Sequence, residues 1–521
     1  MSTSSTKEGL LSVTAIIIGG TALGILGFLS LKYPDCRVFE DVQRDAPQVK
    51  GYPLIGTFFQ QRKEYGRFHD AHHEQLEKLD TMTMINSSIG IPFAIITIDP
   101  RNVNYFLKTN YSNYVKDYHF RKKTIAFFGD GLFVNDGKKW KSHRRSSIKM
   151  FSTKSIQKYF DTVLVKELKV LTHQVLDQYA SNGTTLDLQD LLSKFVINSL
   201  FRFGFGKDLQ ILAQKQHIHL VESLSNCLEH SLNLYLNPFT PIIDMMNYIL
   251  HPQSKSIHQQ YDTLHQFANT IISERRRDMK NGKQFDDFLS QYMDNTDEDG
   301  KPFTDNDLYS LIIGTIFVAS ETTPYALTWT IYNLIKNPMI EKKLLAEIDA
   351  YFPSDGDNYL GDLDPIKLYE AAKKMKYAHA VFNESMRLYP PVPALKRIAA
   401  EDDLWPDGTK IRKGDAIYCN VYAQGRNSKI WGSDCLEFKP ERWILKDETL
   451  YKEEKGQWPV FAMGPRVCIG ERLAYLHGIT TLITLIRRYK FSLSKPNQKV
   501  EYKMGLSLPI KGGLKVYVEK R

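Results

Sequence analysis

Near its C-terminus the chain reads Phe461-Ala-Met-Gly464-Pro-Arg466-Val-Cys468-Ile-Gly470. A cysteine between two glycines, with an arginine two residues before it, suits a thiolate bound to haem iron. Cys468 would be the fifth ligand, its anionic sulfur pushing electron density onto the metal and favouring O–O cleavage. Gly464 and Gly470 would let the backbone approach a flat macrocycle where a Cβ would collide. Arg466 would pair with a propionate through its planar five-donor guanidinium. The alternative is a buried structural thiol in a glycine-containing loop. Every fixed position of FxxGxRxCxG is filled here, which favours the haem.

A second chemical stretch is Glu321-Thr322-Thr323-Pro324, which follows the apolar run LIIGTIFVAS at 311–320. Asp305–Lys336 is predicted to form one long helix, with Thr304 as N-cap and Asp305 and Asp307 in the first turn. Pro324 has no N–H and clashes with the carbonyl of Ser320, so the helix is expected to open or kink. That would leave free backbone acceptors beside a carboxylate and a hydroxyl, a groove suited to proton delivery; the alternative is a kinked core helix. Trp140 and Arg144 lie four apart on one helical face, and Glu384 and Arg387 three apart on another. His69, His72 and His73 have metal-compatible spacing, but Glu74 and the charges around it favour an exposed polar face.

Together these residues resemble the haem-thiolate monooxygenases of the cytochrome P-450 family, from about Pro47 to the C-terminus. The resemblance implies a mainly α fold with small β-sheets, in which haem b (iron protoporphyrin IX) lies between a long distal helix and the cysteine loop. It makes Thr322 the oxygen-side hydroxyl and Glu321 the proton-relay acid. Val318 and Ala319 depart from the family's (A/G)Gx(D/E)T(T/S), where Ala or Gly and then Gly are usual. The resemblance also makes Trp140, Arg144, Arg397 and Arg466 the propionate partners, and Phe461, Gly464 and Gly470 part of the haem cradle. Glu384, Arg387 and Arg442 match the buried triad that holds the cysteine loop. The strings WGSDCLEFKPERW, FFGDGLFVNDGKKW and GLSLPIKGGL are similar to fungal and plant enzymes that hydroxylate fatty acids and alkanes. That implies a long aliphatic substrate and O2, although a sterol, terpenoid or xenobiotic would suit the same apolar lining. A haem-thiolate isomerase, a peroxide-using enzyme and a non-catalytic haem sensor or lipid binder are the rival readings.

The 521 residues carry a net charge of +9, a modest excess on so long a chain, and no nucleic-acid motif accompanies it. Five cysteines with no CxxC pair fit neither zinc nor a disulfide framework, so a reducing compartment is expected. No flavin or nicotinamide fingerprint is present, so electrons must come from a partner; the resemblance implies a diflavin NADPH-dependent reductase. Lys138, Lys139, Lys141 and Arg145 are either a solvated face or its docking surface.

Gly9–Leu31 contains no charged residue and as a helix would span roughly 33 Å, enough for a bilayer core. Lys32, Arg37, Arg44 and Lys50 follow it, against Lys7 alone before it, which places the following domain in the cytosol. The expected layout is a tail and transmembrane signal anchor at 1–31, a Pro/Gly hinge at 32–56 and a catalytic domain at 57–521, single-pass in the endoplasmic reticulum membrane. The sequons at Asn86, Asn110 and Asn182 would then stay unmodified. Leu232–Leu250, interrupted by Pro238 and Pro241, is either a buried helix pair or an access-channel roof dipping into lipid. Phe120, Phe127, Phe128 and Phe133, with the turn 505–509, are expected to line an apolar cavity.

Overall fold

The computed structural model describes residues 3–36, 45–89, 93–212, 219–237, 239–250, 256–353, 363–452 and 455–521, the side chains of 3–16, 219, 247 and 248 excepted. Helices dominate. Those that matter below are α1 (Thr3–Lys32), α2 (Phe68–Lys78), α3 (Tyr118–Phe128), α4 (Gly137–Ile148), α5 (Leu188–Phe205), α6 (His219–Leu236), α7 (Thr240–Leu250), α8 (Ile257–Lys280), α9 (Asp305–Lys336), α10 (Lys376–Leu388) and α11 (Glu471–Arg488). The strands are β1 (Thr83–Asn86), β2 (Ala94–Thr97), β3 (Tyr114–Val115), β4 (Leu186–Asp187), β5 (Ala394–Ala399), β6 (Asp403–Leu404), β7 (Lys410–Ile411), β8 (Ala416–Asn420), β9 (Tyr489–Leu493) and β10 (Lys515–Lys520). They form sheets in the orders β1-β2-β8-β5-β3, β4-β10-β9 and β6-β7. The expected mainly helical fold with small sheets is what the chain adopts.

The long helix α9 is the axis of the molecule and packs against α5, α8, α10 and α11. Its start is fixed by a capping box: Asp307 N–H donates to the Thr304 hydroxyl, and Thr304 N–H donates to the Asp307 carboxylate at 2.9 Å. Contrary to the expectation of an opened helix, α9 runs on through Pro324. The carbonyl of Ser320, deprived of its usual donor by the proline, accepts instead from the Ser193 hydroxyl of α5 at 3.2 Å. A hydroxyl on the neighbouring helix thus satisfies the acceptor that the sequence suggested would be free.

The histidine cluster also departs from expectation. His69 and His72 are buried, not exposed on a polar face. They pack against Phe68, Tyr418, Tyr422 and Tyr502, and burial pushes His69 down to about 3. The tyrosines come from distant parts of the chain, so local charge could not reveal this covering. Among the described residues no group of three or more His, Cys, Asp or Glu side chains could hold a metal ion.

Ile17, Leu23, Phe28 and Leu31 on α1 are exposed. Among the described residues no helix is long and apolar enough to cross a membrane; residues 9–16 of the Gly9–Leu31 run lie outside those whose side chains are described. Past α1 the chain is tied to the domain, with Leu54 N–H donating to Tyr33 O at 3.2 Å and Gln48 bridging to Ile85 of β1. Pro238 falls outside the described residues, and Pro241 sits in the first turn of α7, whose Ile242, Met245, Met246, Ile249 and Leu250 are exposed. α7 is therefore not half of a buried pair.

Candidate active site

Four segments converge on the cysteine loop. The loop is a tight turn: Cys468 N–H donates to Phe461 O at 2.8 Å and Val467 N–H to Gly464 O at 3.1 Å. Ala462 and Gly464 both have positive φ, 58° and 64°. For alanine that conformation costs about 1 kcal/mol, which the closed turn holds in place. A Cβ on Gly464 would lie 2.3 Å from Leu107 O, so the protein's own backbone demands this glycine. At Gly470 a Cβ would meet Phe151 and the Cys468 sulfur only at ordinary contact distances, 3.5 and 3.9 Å.

Cys468 is exposed, yet protein surrounds it closely enough that burial raises its thiol. The backbone N–H groups of Gly470 and Glu471, at the start of α11, and the Arg144 guanidinium oppose that rise and favour the thiolate. α11 in turn packs on α9, so the helix that begins at the cysteine is braced by the one carrying Glu321 and Thr322.

α4 presents Trp140 and Arg144 to the loop. Arg144 Nη2 donates to Val467 O at 2.9 Å, and Arg466 Nη1 donates to Asn135 O at 3.0 Å just before α4. Both guanidiniums lie against the Trp140 ring, Arg466 at 4.0 Å and Arg144 at 5.7 Å from its centroid. Arg397 arrives on β5, 7% exposed, and burial with the nearby charge of Arg466 lowers it to about 10. Lys116, which the sequence reading did not single out, joins them. The antiparallel register Val115↔Ile398 brings the residue after β3 beside Arg397, and burial followed by the charges of Arg397 and Arg466 pushes its ammonium far below the lysine range. Asp136 stands among these cations, paired with Arg466 and accepting from Lys116 N–H at 2.7 Å. Three guanidiniums and the Lys116 amine beside one carboxylate are short of anions, and the two carboxylates of a haem would supply them. Nothing local to Lys116 reveals this; only the strand register does.

On α9 the acid and the alcohol behave differently. Thr322 turns its hydroxyl back to Val318 O at 2.9 Å. Glu321 is buried and accepts a hydrogen bond from the Ser507 hydroxyl at 2.5 Å. Burial raises its carboxyl to about 7, opposed by Ser507 and by the charge of Lys503. Val318 is half-buried and Ala319 buried. Phe133 packs its ring so closely on Gly314 that a Cβ there would lie 2.6 Å away. With Phe128 and Phe317 (centroids 5.3 and 6.0 Å from Phe317) it forms an aromatic wall along α9. Phe127 is fully buried and stacks on Tyr261 of α8 instead.

The raised Glu321 carboxyl has a thermodynamic consequence. Its group titrates at about 7 folded against 4.5 in the free side chain. Folding therefore takes up a proton between those values. Stability is fully present below 4.5 and is lost as pH rises through 7, up to about 3 kcal/mol at pH 8. A Glu321→Gln chain, which cannot ionise, is expected to match the parent near pH 5 and to exceed its stability at pH 8. Thermal unfolding at the two pH values measures this; a gap that does not widen with pH contradicts the buried carboxyl.

The triad behind the loop is closed. Glu384 and Arg387 of α10 are fully buried, with Arg387 Nε and Nη2 each 2.8 Å from a Glu384 oxygen. Arg442 Nε, Lys439 N–H and Trp443 Nε1 complete the donors to that carboxylate, each at 2.8 Å. Arg387 also donates to the carbonyls of Gly425, Cys435 and Glu437, so one guanidinium fixes the segment leading towards the cysteine loop.

Residues 47–515 match the family model for Cytochrome P450. Cytochrome P450 94A2 of Vicia sativa is 30% identical over 498 residues, covering 92% of this chain and 92% of the relative. Cytochrome P450 86B1 of Arabidopsis thaliana is 32% identical over 438 residues (82% and 77%), and Cytochrome P450 704B1 of the same plant 29% over 513 (92% and 96%). The chain therefore belongs to the cytochrome P450 family: it is a haem-thiolate monooxygenase, an oxidoreductase that uses O2, an axial cysteine and electrons from a redox partner on a hydrophobic substrate.

Proposed function

We propose that the enzyme hydroxylates a long aliphatic chain, a fatty acid or alkane, with Cys468 as the axial ligand. Bound haem supplies dioxygen activation. Trp140, Arg144, Arg397, Arg466 and Lys116 would hold its carboxylates, Phe461, Gly464 and Gly470 would shape the cradle, and the N–H groups of Gly470 and Glu471 would favour the anionic form of the Cys468 sulfur. Glu321 hands protons towards Thr322, which carries them to the oxygen side. The aromatic wall of Phe128, Phe133 and Phe317 along α9 supports a hydrophobic substrate, since it offers contact and no hydrogen-bonding group; the likeness to fatty-acid hydroxylases carries the choice of a long aliphatic chain.

The layout proposed is an anchor at 1–31, a hinge at 32–56 and a catalytic domain at 57–521, single-pass in the endoplasmic reticulum membrane with the domain in the cytosol. The exposed apolar side chains of α1 and of α7, together with Phe59, would share one lipid-facing side; Phe58, just past the hinge, meets Phe239, just before α7, edge-on at 5.9 Å. Lys138, Lys141 and Arg145 are exposed on α4 and would receive a diflavin NADPH-dependent reductase. Lys139 would not, because it is paired inward with Asp130 at 2.8 Å and Asp307 at 3.2 Å.

A panel of C12–C18 acids, alkanes and sterols, screened for spectral displacement of water from ferric iron, tests the substrate class. Long-chain acids or alkanes are expected to bind. Displacement by sterols without displacement by the aliphatic chains overturns the proposal.

A further inference from the structure

The C-terminal hairpin turn 505–509 is placed with more care than a surface turn needs. Leu508 at its centre is fully buried. Its carbonyl accepts from Trp329 Nε1 of α9 at 2.8 Å, and its N–H donates to Pro391 O at 3.1 Å. Trp329 is itself held by stacking on Tyr389, with centroids 3.8 Å apart. Lys503 N–H closes the hairpin onto Pro509 O at 2.8 Å. The residue before Leu508 is therefore presented to α9 by a rigid backbone. That residue is Ser507, buried, and its hydroxyl donates to Glu321 Oε2.

We propose that Ser507 is a positioning residue for the proton-delivering acid, holding the Glu321 carboxylate in one orientation and favouring its charged form so that the proton can be given up. The inference rests on the reading of Glu321 as that acid. A hydroxyl donor stabilises a buried carboxylate and does nothing comparable for an apolar neighbour. The other groups that bear on Glu321 are few. Lys503, on the same hairpin, favours the charged form, but it is exposed and paired with Glu229 at 2.8 Å. Tyr325, one turn on in α9, is neutral, its phenol pushed up by burial and by the Glu321 charge. On α5 the Ser193 hydroxyl is committed to Ser320 O. Ser507 is thus the neutral partner that decides how readily the acid ionises. The Leu506 side chain packs against the cluster of Phe68, Leu232 and Met504.

The test is an infrared titration of the carboxyl stretch in the resting full-length holoenzyme, comparing the parent with Ser507→Ala, Ser507→Thr and Glu321→Gln, alongside the ratio of product formed to NADPH consumed. The parent is expected to show a protonated-carboxyl band that Glu321→Gln removes. In Ser507→Ala the midpoint of that band rises by roughly 0.5–1 pH unit and the ratio falls. Ser507→Thr restores both, which a merely structural role would not produce. An unchanged midpoint in Ser507→Ala, or no band sensitive to Glu321→Gln, overturns the inference. If Glu321→Gln leaves the ratio untouched, the reading of Glu321 fails instead, whatever Ser507 does.

Discussion

A Glu384→Gln chain is expected to yield little or no protein that retains haem, with thermal unfolding far below the parent. The carboxylate accepts five hydrogen bonds, from Arg387 twice, Arg442, Lys439 N–H and Trp443. An amide would turn an N–H₂ towards donors and leave the fully buried Arg387 guanidinium without its counter-charge, while Arg442 would keep Asp434 at 3.3 Å. Stranding a buried charge costs about 3–5 kcal/mol, comparable to much of a domain's whole stability. The damage would spread along a defined path. Arg387 fixes the carbonyls of Gly425, Cys435 and Glu437, and Trp443 packs at 4.4 Å on Trp458, three residues before Phe461. A Cβ on Gly425 would lie 2.2 Å from Arg387 O, so the two segments are already in close contact. Thermal unfolding and the haem-to-protein ratio of the purified chain measure the outcome. A variant that keeps parental haem content and melting temperature would show that the network is dispensable.

Local signals made much of the architecture legible. The long helix could be bounded because Thr304 and Asp307 form a reciprocal cap and Asn337-Pro338 ends the run. The Glu384–Arg387 spacing correctly put both on one face of α10. What escaped depended on partners far away in the chain. Pro324 was expected to open or kink α9, yet the helix runs on, and Ser193, 127 residues before Ser320, takes the freed carbonyl. Lys116 reads as an ordinary lysine until β3 pairs with β5 and carries it beside Arg397. His69 and His72 lie in a charged stretch, but tyrosines from 418, 422 and 502 cover them. Ser507 sat in a turn read only as apolar lining; its partner Glu321 is 186 residues away. Gly464 was expected for its approach to the macrocycle; that Leu107 O also excludes a side chain there depends on a distant segment the motif does not show.

Cys468→Ser is the substitution with the largest expected effect, because a hydroxyl with an unperturbed affinity for protons cannot replace an anionic sulfur as an electron-rich ligand. Loss of hydroxylation should be complete, and the fold should survive, since the loop is closed by backbone hydrogen bonds of residues 461, 464, 467 and 468 that do not use the thiol. The direct measurement is the absorbance of the reduced, carbon-monoxide-treated full-length protein, parent against Cys468→Ser. The parent should show the red-shifted Soret band of a thiolate-ligated haem, and Cys468→Ser should lack it while remaining folded. A parent that holds one haem per chain without that band, or a Cys468→Ser protein that keeps it, contradicts the assignment of Cys468.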